Sequence, residues 1–255
     1  MSHHAKKVVV IIPCYNEAKG IANVIKKFPH DRLTRNHFDI QIYVVDNNST
    51  DNTAEVARKA GATVIHETKK GKGNAMRTGF RSIPADTDYV VMLDGDDTYA
   101  PEEVLRLVEP LEAGFCDVVI GSRMGGNIHG DSMPMFNLAG NWIFTHLARY
   151  VYRANVTDVL TGYFAWRKPV IDQLHPHLVS DGFAIEMEMI TKMARMDFQM
   201  TSVPISYLQR AGDSNLHPLK DGLRILKMFA RNLSWRAPKK TQQQLEALRA
   251  HEDRA

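Results

Sequence analysis

Val90-Val91-Met92-Leu93-Asp94-Gly95-Asp96-Asp97 is the stretch that decides how this 255-residue chain folds and works. Four apolar residues drive a strand into a core, and three carboxylates follow where it emerges. Buried strands end in turns, so at least two of these acids are presented together at a sheet edge. Neighbouring carboxylates repel, and burial penalises their ionisation, unless a cation or hydrogen-bond donors compensate. A divalent ion is one such compensation: magnesium or manganese prefers hard oxygen ligands and takes few from protein, leaving positions for water and substrate phosphates. A polar turn that caps the next helix is the other, since Pro101-Glu102-Glu103 has the form of a helix start. The run alone leaves both open.

Outward from this run, apolar strands alternate with helical segments. Residues 8–13 are continuously apolar, as in a strand covered on both faces, and a helix is expected over 16–27. A strand over 41–46 ends at Asp46, and Thr50 or Asp51 can cap a helix running to about residue 60. A strand over 63–66, a helix over 73–80, a strand over 89–93, a helix over 101–111 and a strand over 117–121 continue the pattern. Such alternation predicts an α/β fold with right-handed crossovers, a mostly parallel central sheet flanked by helices, and ligands at the carboxyl ends of the strands. The polar clusters after Ile12, Val45, Leu93 and Ile120 then converge on one crevice. Beyond residue 125 the alternation fades. The glycine-rich stretch 125–130 reads as a flexible loop, 137–152 as a long aromatic-rich helix, and 203–207 as an edge strand, where Pro204 is tolerated.

Composition bounds the answer. The chain is 44% hydrophobic, enough to bury a full core. Its 32 Lys and Arg against 29 Asp and Glu leave +3, too weak a balance to argue for nucleic acid. Cys14 and Cys116 lack ligand spacing and sit in apolar strand-like contexts, as small core residues in a reducing compartment would. No apolar run is long enough to span a bilayer, so the expected location is the cytoplasm, or the cytoplasmic face of a membrane as a peripheral protein.

Other loops of the crevice carry chemistry too. Asp46, at a strand end and followed by Asn47-Asn48-Ser49-Thr50-Asp51, can accept from a base N–H or a ribose hydroxyl. An Asx turn plus helix cap accounts for 49–51 but leaves Asp46 free. Gly71-Lys72-Gly73 offers backbone donors and a cation near phosphates without the spacing of a Walker motif.

Taken in order, Val10-Ile11-Ile12-Pro13-Cys14-Tyr15-Asn16-Glu17, Val44-Val45-Asp46-Asn47-Asn48-Ser49-Thr50-Asp51, Gly71-Lys72-Gly73, Leu93-Asp94-Gly95-Asp96 and Gly121-Ser122-Arg123 resemble the family-2 glycosyltransferases of GT-A fold. The resemblance covers about residues 8–232. It implies that Pro13, Tyr15, Glu17, Asp46, Asn48, Lys72 and Gly73 help hold a nucleotide-sugar, and that Asp94 and Asp96 serve Mg2+ or Mn2+ on its diphosphate. Asp94 is then the member nearer the nucleotide, Asp96 the firmer metal ligand, and Asp97 a turn residue or a support behind the metal ligands. The implied division is a flexible leader over 1–7 and a catalytic domain over 8–235, with a nucleotide half (8–124) and an acceptor half (125–235). A polar tail follows over 236–255.

Asp158-Val159-Leu160-Thr161-Gly162-Tyr163, Gly182-Phe183-Ala184-Ile185-Glu186 and Tyr207-Leu208-Gln209-Arg210-Ala211-Gly212-Asp213-Ser214 look like the dolichyl-phosphate mannose or glucose synthase branch, with its polyprenyl-phosphate relatives. That likeness implies an inverting transfer to a polyprenyl phosphate, with Arg123 on the acceptor phosphate and Arg210 on donor or acceptor phosphate. Two departures stand out: Asn215 where relatives usually carry Lys, and 163–167 where Gly-Phe-Arg is common. A lipid monophosphate is already anionic, whereas a hydroxyl acceptor would need a base. Asp181 or Glu186 is the natural candidate for that base, although Asp181 can equally be a helix N-cap. A nucleotidyltransferase would show a Gly-rich basic loop after the first strand, which 13–17 lacks; a binding module would have little use for the acidic pair beside two arginines. Aromatic and basic residues alternate over 136–153 and 219–235, as in interfacial helices or core-packing faces. Related enzymes often end in transmembrane helices, which this sequence lacks. The expected partners are therefore the nucleotide-sugar, the polyprenyl phosphate, and a membrane surface or membrane protein.

Overall fold

The apolar runs lie side by side in one sheet. In a computed structural model, which describes residues 5–130, 132–210 and 217–238, β1 (Lys6–Cys14) buries five consecutive residues, Val8 to Ile12. β2 (Phe38–Asp46) and β4 (Tyr89–Met92) flank it in parallel, and β3 (Thr63–His66) extends the sheet beyond β2. β5 (Val118–Ile128), β6 (Phe164–Arg167) and β7 (Met200–Tyr207) complete the order β3-β2-β1-β4-β6-β5-β7. Only β6 runs antiparallel to its neighbours. The helices are α1 (Ile21–Lys26), α2 (His30–Arg35), α3 (Thr53–Lys59), α4 (Lys72–Arg81), α5 (Val104–Glu112), α6 (Met135–Tyr152), α7 (Lys168–Leu174), α8 (Ile185–Arg195) and α9 (Pro218–Asn232).

Alternation along the deciding run builds both faces. Val90 and Met92 join Met76, Phe80 and Trp166 on one side of the sheet; Val91 and Leu93 join Val24, Val108 and Tyr163 on the other. Burial on both faces is what a continuous apolar strand demands. From β1 the chain runs outward to β2 and β3, then returns to β4 on the opposite side of β1. That reversal opens a crevice at the carboxyl ends of β1 and β4, where the Asp-Gly-Asp turn lies. Among the described residues no helix is long and apolar enough to cross a membrane.

Several expectations need correction. The helix expected over 16–27 begins only at Ile21, because Asn16 is left-handed (φ 58°) and its side chain accepts from Thr50 N–H at 2.8 Å. Gly20 follows in the same turn, and a Cβ there would stand 2.9 Å from Gly95 O. Neither Thr50 nor Asp51 is the N-cap of α3, which is Asn52; Asp51 instead accepts from Thr53 N–H at 3.0 Å. The N-cap of α8 is Ala184, not Asp181. Residues 125–128, expected as part of a flexible loop, belong to β5; Asn127 and Ile128 pair with Ser206 and Tyr207 of β7 beyond an irregularity that follows Ser122. Glycine is required there for approach, since a Cβ on Gly126 would lie 2.0 Å from Ile205 O. Nothing in the sequence marks α2 or β6, which are six and four residues long with no usable period. Residues 211–215, the 1–4 part of the leader and 239–255 of the tail lie outside the described residues.

Candidate active site

Packing explains the sequence of the acidic turn. A Cβ on Gly95 would lie 2.4 Å from Cys14 Sγ, so the turn sits on the end of β1 only because residue 95 has no side chain. This holds the two flanking carboxylates at the crevice. Asp94 Oδ1 meets Lys72 Nζ at 2.6 Å, and Lys72 also reaches Glu186 Oε1 at 2.7 Å. Asp96 is buried; its Oδ1 accepts from Thr98 N–H (3.1 Å) and Oγ1–H (2.5 Å), and its Oδ2 takes the Arg210 guanidinium. Asp97 is left-handed (φ 63°) and pairs with Lys27 at 2.7 Å, as a turn residue would.

Charge in this cluster is finely opposed. Burial works against the charge of Lys72, but Asp94 and Glu186 outweigh it and raise its pKa. Burial raises Glu186, with Lys72 opposing. Glu17 is pushed up to about 7, first by burial and then by Asp96, with Arg210 opposing. Asp94 and Asp96 offer hard oxygens of the kind Mg2+ or Mn2+ takes, and such an ion would share them with Lys72 and Arg210, drawing its remaining ligands from a diphosphate and water. No group of three or more His, Cys, Asp or Glu able to hold an ion exists among the described residues.

On one side of the turn lies a cavity of about 220 Å3, walled by Pro13, Tyr15, Glu17, Asn47, Lys70 and Gly71. Lys70 Nζ stands 4.6 Å from the Tyr15 ring centroid and donates to its hydroxyl at 2.8 Å. Asn47 accepts from Gly71 N–H at 2.6 Å and donates to Lys69 O at 2.7 Å, fixing the 69–71 loop. Gly71 and Gly73 press on the 180–181 backbone: a Cβ would stand 2.2 Å from Asp181 O and 2.1 Å from Ser180 O. Asp46 lies just behind this wall and is not free. Its Oδ1 accepts from Ser49 N–H at 3.3 Å and its Oδ2 meets His66 Nδ1 at 3.1 Å. Asn48 is exposed, and neither Asp46 nor Asn48 lines the cavity.

On the other side a cavity of about 490 Å3 runs between α6 and α9. Arg123 lines it and is held by Asp158 through two parallel bonds, Nε to Oδ2 at 2.7 Å and Nη2 to Oδ1 at 2.8 Å. Asp158 is fully buried and also accepts from Asn141 Nδ2 at 2.6 Å, so the guanidinium is fixed before any ligand arrives. Phe136, Phe144, Leu160 and Ile225 give this cavity apolar walls. Leu208 N–H donates to Thr98 O at 2.7 Å, laying the 207–210 segment across the turn and delivering Arg210 to Asp96.

The two cavities share Lys72, Asp94, Phe183 and Arg210. Of the expected residues, Pro13, Tyr15, Glu17, Lys72, Asp94, Asp96, Arg123, Glu186 and Arg210 are gathered on these walls, and Gly73 supports them. Asp181 is not: its side chain is 76% exposed, 3.8 Å from Arg77, and it lines neither cavity. The roles of Asn47, Asn141 and Asp158 went unassigned. An acid embedded between Val156 and Val159-Leu160 was the available signal, because a carboxylate among apolar residues needs a charged partner.

The family model described as "Glycosyl transferase family 2" matches residues 9–174. The chain is 35% identical over 218 residues to glycosyltransferase AglJ of Haloferax volcanii, covering 84% of this chain and 68% of the relative. It is 32% identical over 224 residues to the dolichyl-phosphate hexose transferase of the same organism, covering 88% and 92%. Glucosyl-3-phosphoglycerate synthase of Mycobacterium tuberculosis, solved with Mn2+, uridine diphosphate and phosphoglyceric acid, shares the fold at a TM-score of 0.67 and 21% identity, over 90% of this chain and 79% of that one. The chain belongs to glycosyl transferase family 2 and is a glycosyltransferase of GT-A fold.

Proposed function

We propose that this enzyme moves a sugar from a nucleoside-diphosphate sugar in the smaller cavity to a polyprenyl phosphate in the larger one, with inversion at the anomeric carbon. The observation that carries the reading is the character of the larger cavity: apolar walls, a pre-set Arg123, and carboxylates that are each already paired. Asp94 and Glu186 share Lys72, and Asp221 pairs with Arg224 at 3.0 Å. Such a site suits an anionic headgroup on a hydrocarbon chain.

Pro13, Tyr15 and Asn47 frame the nucleoside end, and Asp46 sits behind them. Arg123 holds the acceptor phosphate, whose oxygen attacks the anomeric carbon as the bond to the diphosphate breaks and its electron pair leaves with the diphosphate. Lys72 and Arg210, at the junction, stabilise that departing charge in a partly dry site. No general base is needed, because the nucleophile is already anionic. Asp94 and Asp96 would hold Mg2+ or Mn2+, which when bound supplies further charge neutralisation at the diphosphate. The same chemistry requires access to a membrane surface, where the acceptor lipid resides.

A hydroxyl acceptor is the second reading. What favours it is Glu186, a buried carboxyl of raised pKa on the acceptor wall, as a base would be. A panel of labelled UDP- and GDP-sugars, assayed with manganese and a polyprenyl phosphate, separates the two. Label extracted into organic solvent from one donor is the expected result; no organic-phase label from any donor overturns the lipid reading.

A further inference from the structure

The reaction described above assigns no role to a third cavity, which adjoins the donor cavity through Lys70, Gly71 and Phe183. It measures about 410 Å3 and lies between the 179–184 loop and α9. Lys70, Arg224, Lys227 and Arg231 line it against a single carboxylate, Asp181, which Arg77 already approaches. Arg224 pairs with Asp221 from its edge, so the excess of positive charge resides on the Lys227 and Arg231 side.

The outer surface of α9 shows what this groove faces. Asp221, Ile225, Met228, Phe229 and Asn232 point inward and are buried. Lys220, Arg224, Lys227 and Arg231, recurring every three or four residues, form one exposed basic stripe. Leu219, Leu223, Leu226 and Leu233 form a second stripe beside it, 75%, 69%, 46% and 45% exposed. The only acid of α9, Asp221, is buried, so its outward surface is purely apolar and basic. α6 packs on α9 and exposes Met135, Phe136, Trp142, Ile143 and Tyr150, and Phe136 lines the acceptor cavity together with Pro218 and Gly222 of α9. Exposed apolar area on this scale marks an interaction surface, and a basic row running parallel to it suits an anionic lipid surface.

We propose that the third cavity receives a phosphate group of an anionic phospholipid headgroup and so seats the leucine stripe of α9 in an acidic bilayer, beside the mouth of the acceptor cavity. This rests on the reading that the acceptor is a lipid phosphate, and it adds a second phosphate site that takes no part in transfer. Charge selects acidic membranes, and the leucines bury only if the headgroup belongs to a bilayer rather than to free phosphate.

Co-sedimentation with phosphatidylcholine vesicles, with and without phosphatidylglycerol, tests it on the full chain. The unmodified protein is expected to bind the acidic vesicles and leave the neutral ones. Lys227→Glu with Arg231→Glu, and separately Leu223→Ser with Leu226→Ser, are each expected to weaken that binding by about tenfold or more. All four side chains are exposed, so the melting temperature should hold in both double variants. Unchanged vesicle binding in the charge variant overturns the proposal. So does binding that survives the leucine changes but is abolished by inorganic phosphate, which would make the groove a small-anion site. Transfer to a short, water-soluble isoprenyl phosphate should be the same in both variants as in the unmodified protein. If no protein form transfers to that acceptor, the lipid-phosphate reading fails on its own, whatever the vesicles show.

Discussion

The two cavities, proposed above for donor and acceptor, meet at Asp94 and Lys72 but are built by different means. The donor side is made of backbone: strand-end loops, close glycine contacts at Gly71, Gly73 and Gly95, and an asparagine that stitches one loop. The acceptor side is made of paired charge, with Arg123 on buried Asp158 and Lys72 on Glu186. The 179–183 loop beneath them follows the same plan, for Glu188 is wholly buried, accepts from Ser180 N–H at 2.7 Å and holds Lys192 at 2.6 Å. Backbone contacts grip a rigid, invariant part of a ligand such as a nucleotide. Fixed guanidinium and ammonium groups present charge to a headgroup while leaving the rest of the cavity apolar. If the two cavities hold donor and acceptor as proposed, the two substrates can be perturbed separately except at the shared wall.

The largest expected effect lies next to that wall, at Asp96, which holds the shared Arg210 from the smaller cavity. Asp96→Asn keeps an acceptor for Thr98 but removes the charge that faces Arg210, so transfer should fall by about 100-fold or more while the circular dichroism spectrum is retained. Full activity of this variant in chelator-treated buffer would sink the assignment of Asp96 to a metal. One step into the acceptor side, Arg123→Lys keeps the charge and loses the two-point bond to Asp158. The acceptor KM should rise about tenfold, the scale of one charge-assisted hydrogen bond, with nucleotide affinity unmoved in a calorimetric titration. Lost nucleotide affinity with a normal acceptor KM would reverse the division between the two cavities. The smallest effect is expected outside both. Asp181→Asn, at an exposed position, should change stability by less than about 0.5 kcal/mol and transfer by less than about twofold. A large loss of activity there would return Asp181 to the site as a base and favour the hydroxyl acceptor.

The two sides also differ in how far they were readable. The donor side was legible because its parts are local: an apolar run followed by a polar turn carries its own period and its own stop signal, as in 8–17, 41–51 and 89–97. Even so, the sequence puts the helix start after β1 five residues early, because the left-handed Asn16 is stabilised by Ser49 and Thr50 from a distant loop. Asp46 was read as free for the same reason, since His66 reaches it only across β2 and β3. On the acceptor side, Arg123 and Arg210 were picked out by resemblance, whereas their partners were not. Residues 125–128 misled because repeated glycines suggest a loop, yet here the missing side chains are what lets β5 approach Ile205.

The sequence by itself determined the α/β alternation, the strand that ends in Asp94-Gly95-Asp96, and the set of loops that converge on it. Periods of two and 3.6 residues and turn chemistry act within a few positions, so they survive in a linear string. Only the tertiary structure decided which charges meet. Arg210 lies 114 positions from Asp96, and Arg123 lies 35 from Asp158. Nothing in the composition of either partner names the other; the choice is made when packing removes water and leaves each buried charge within reach of an opposite one.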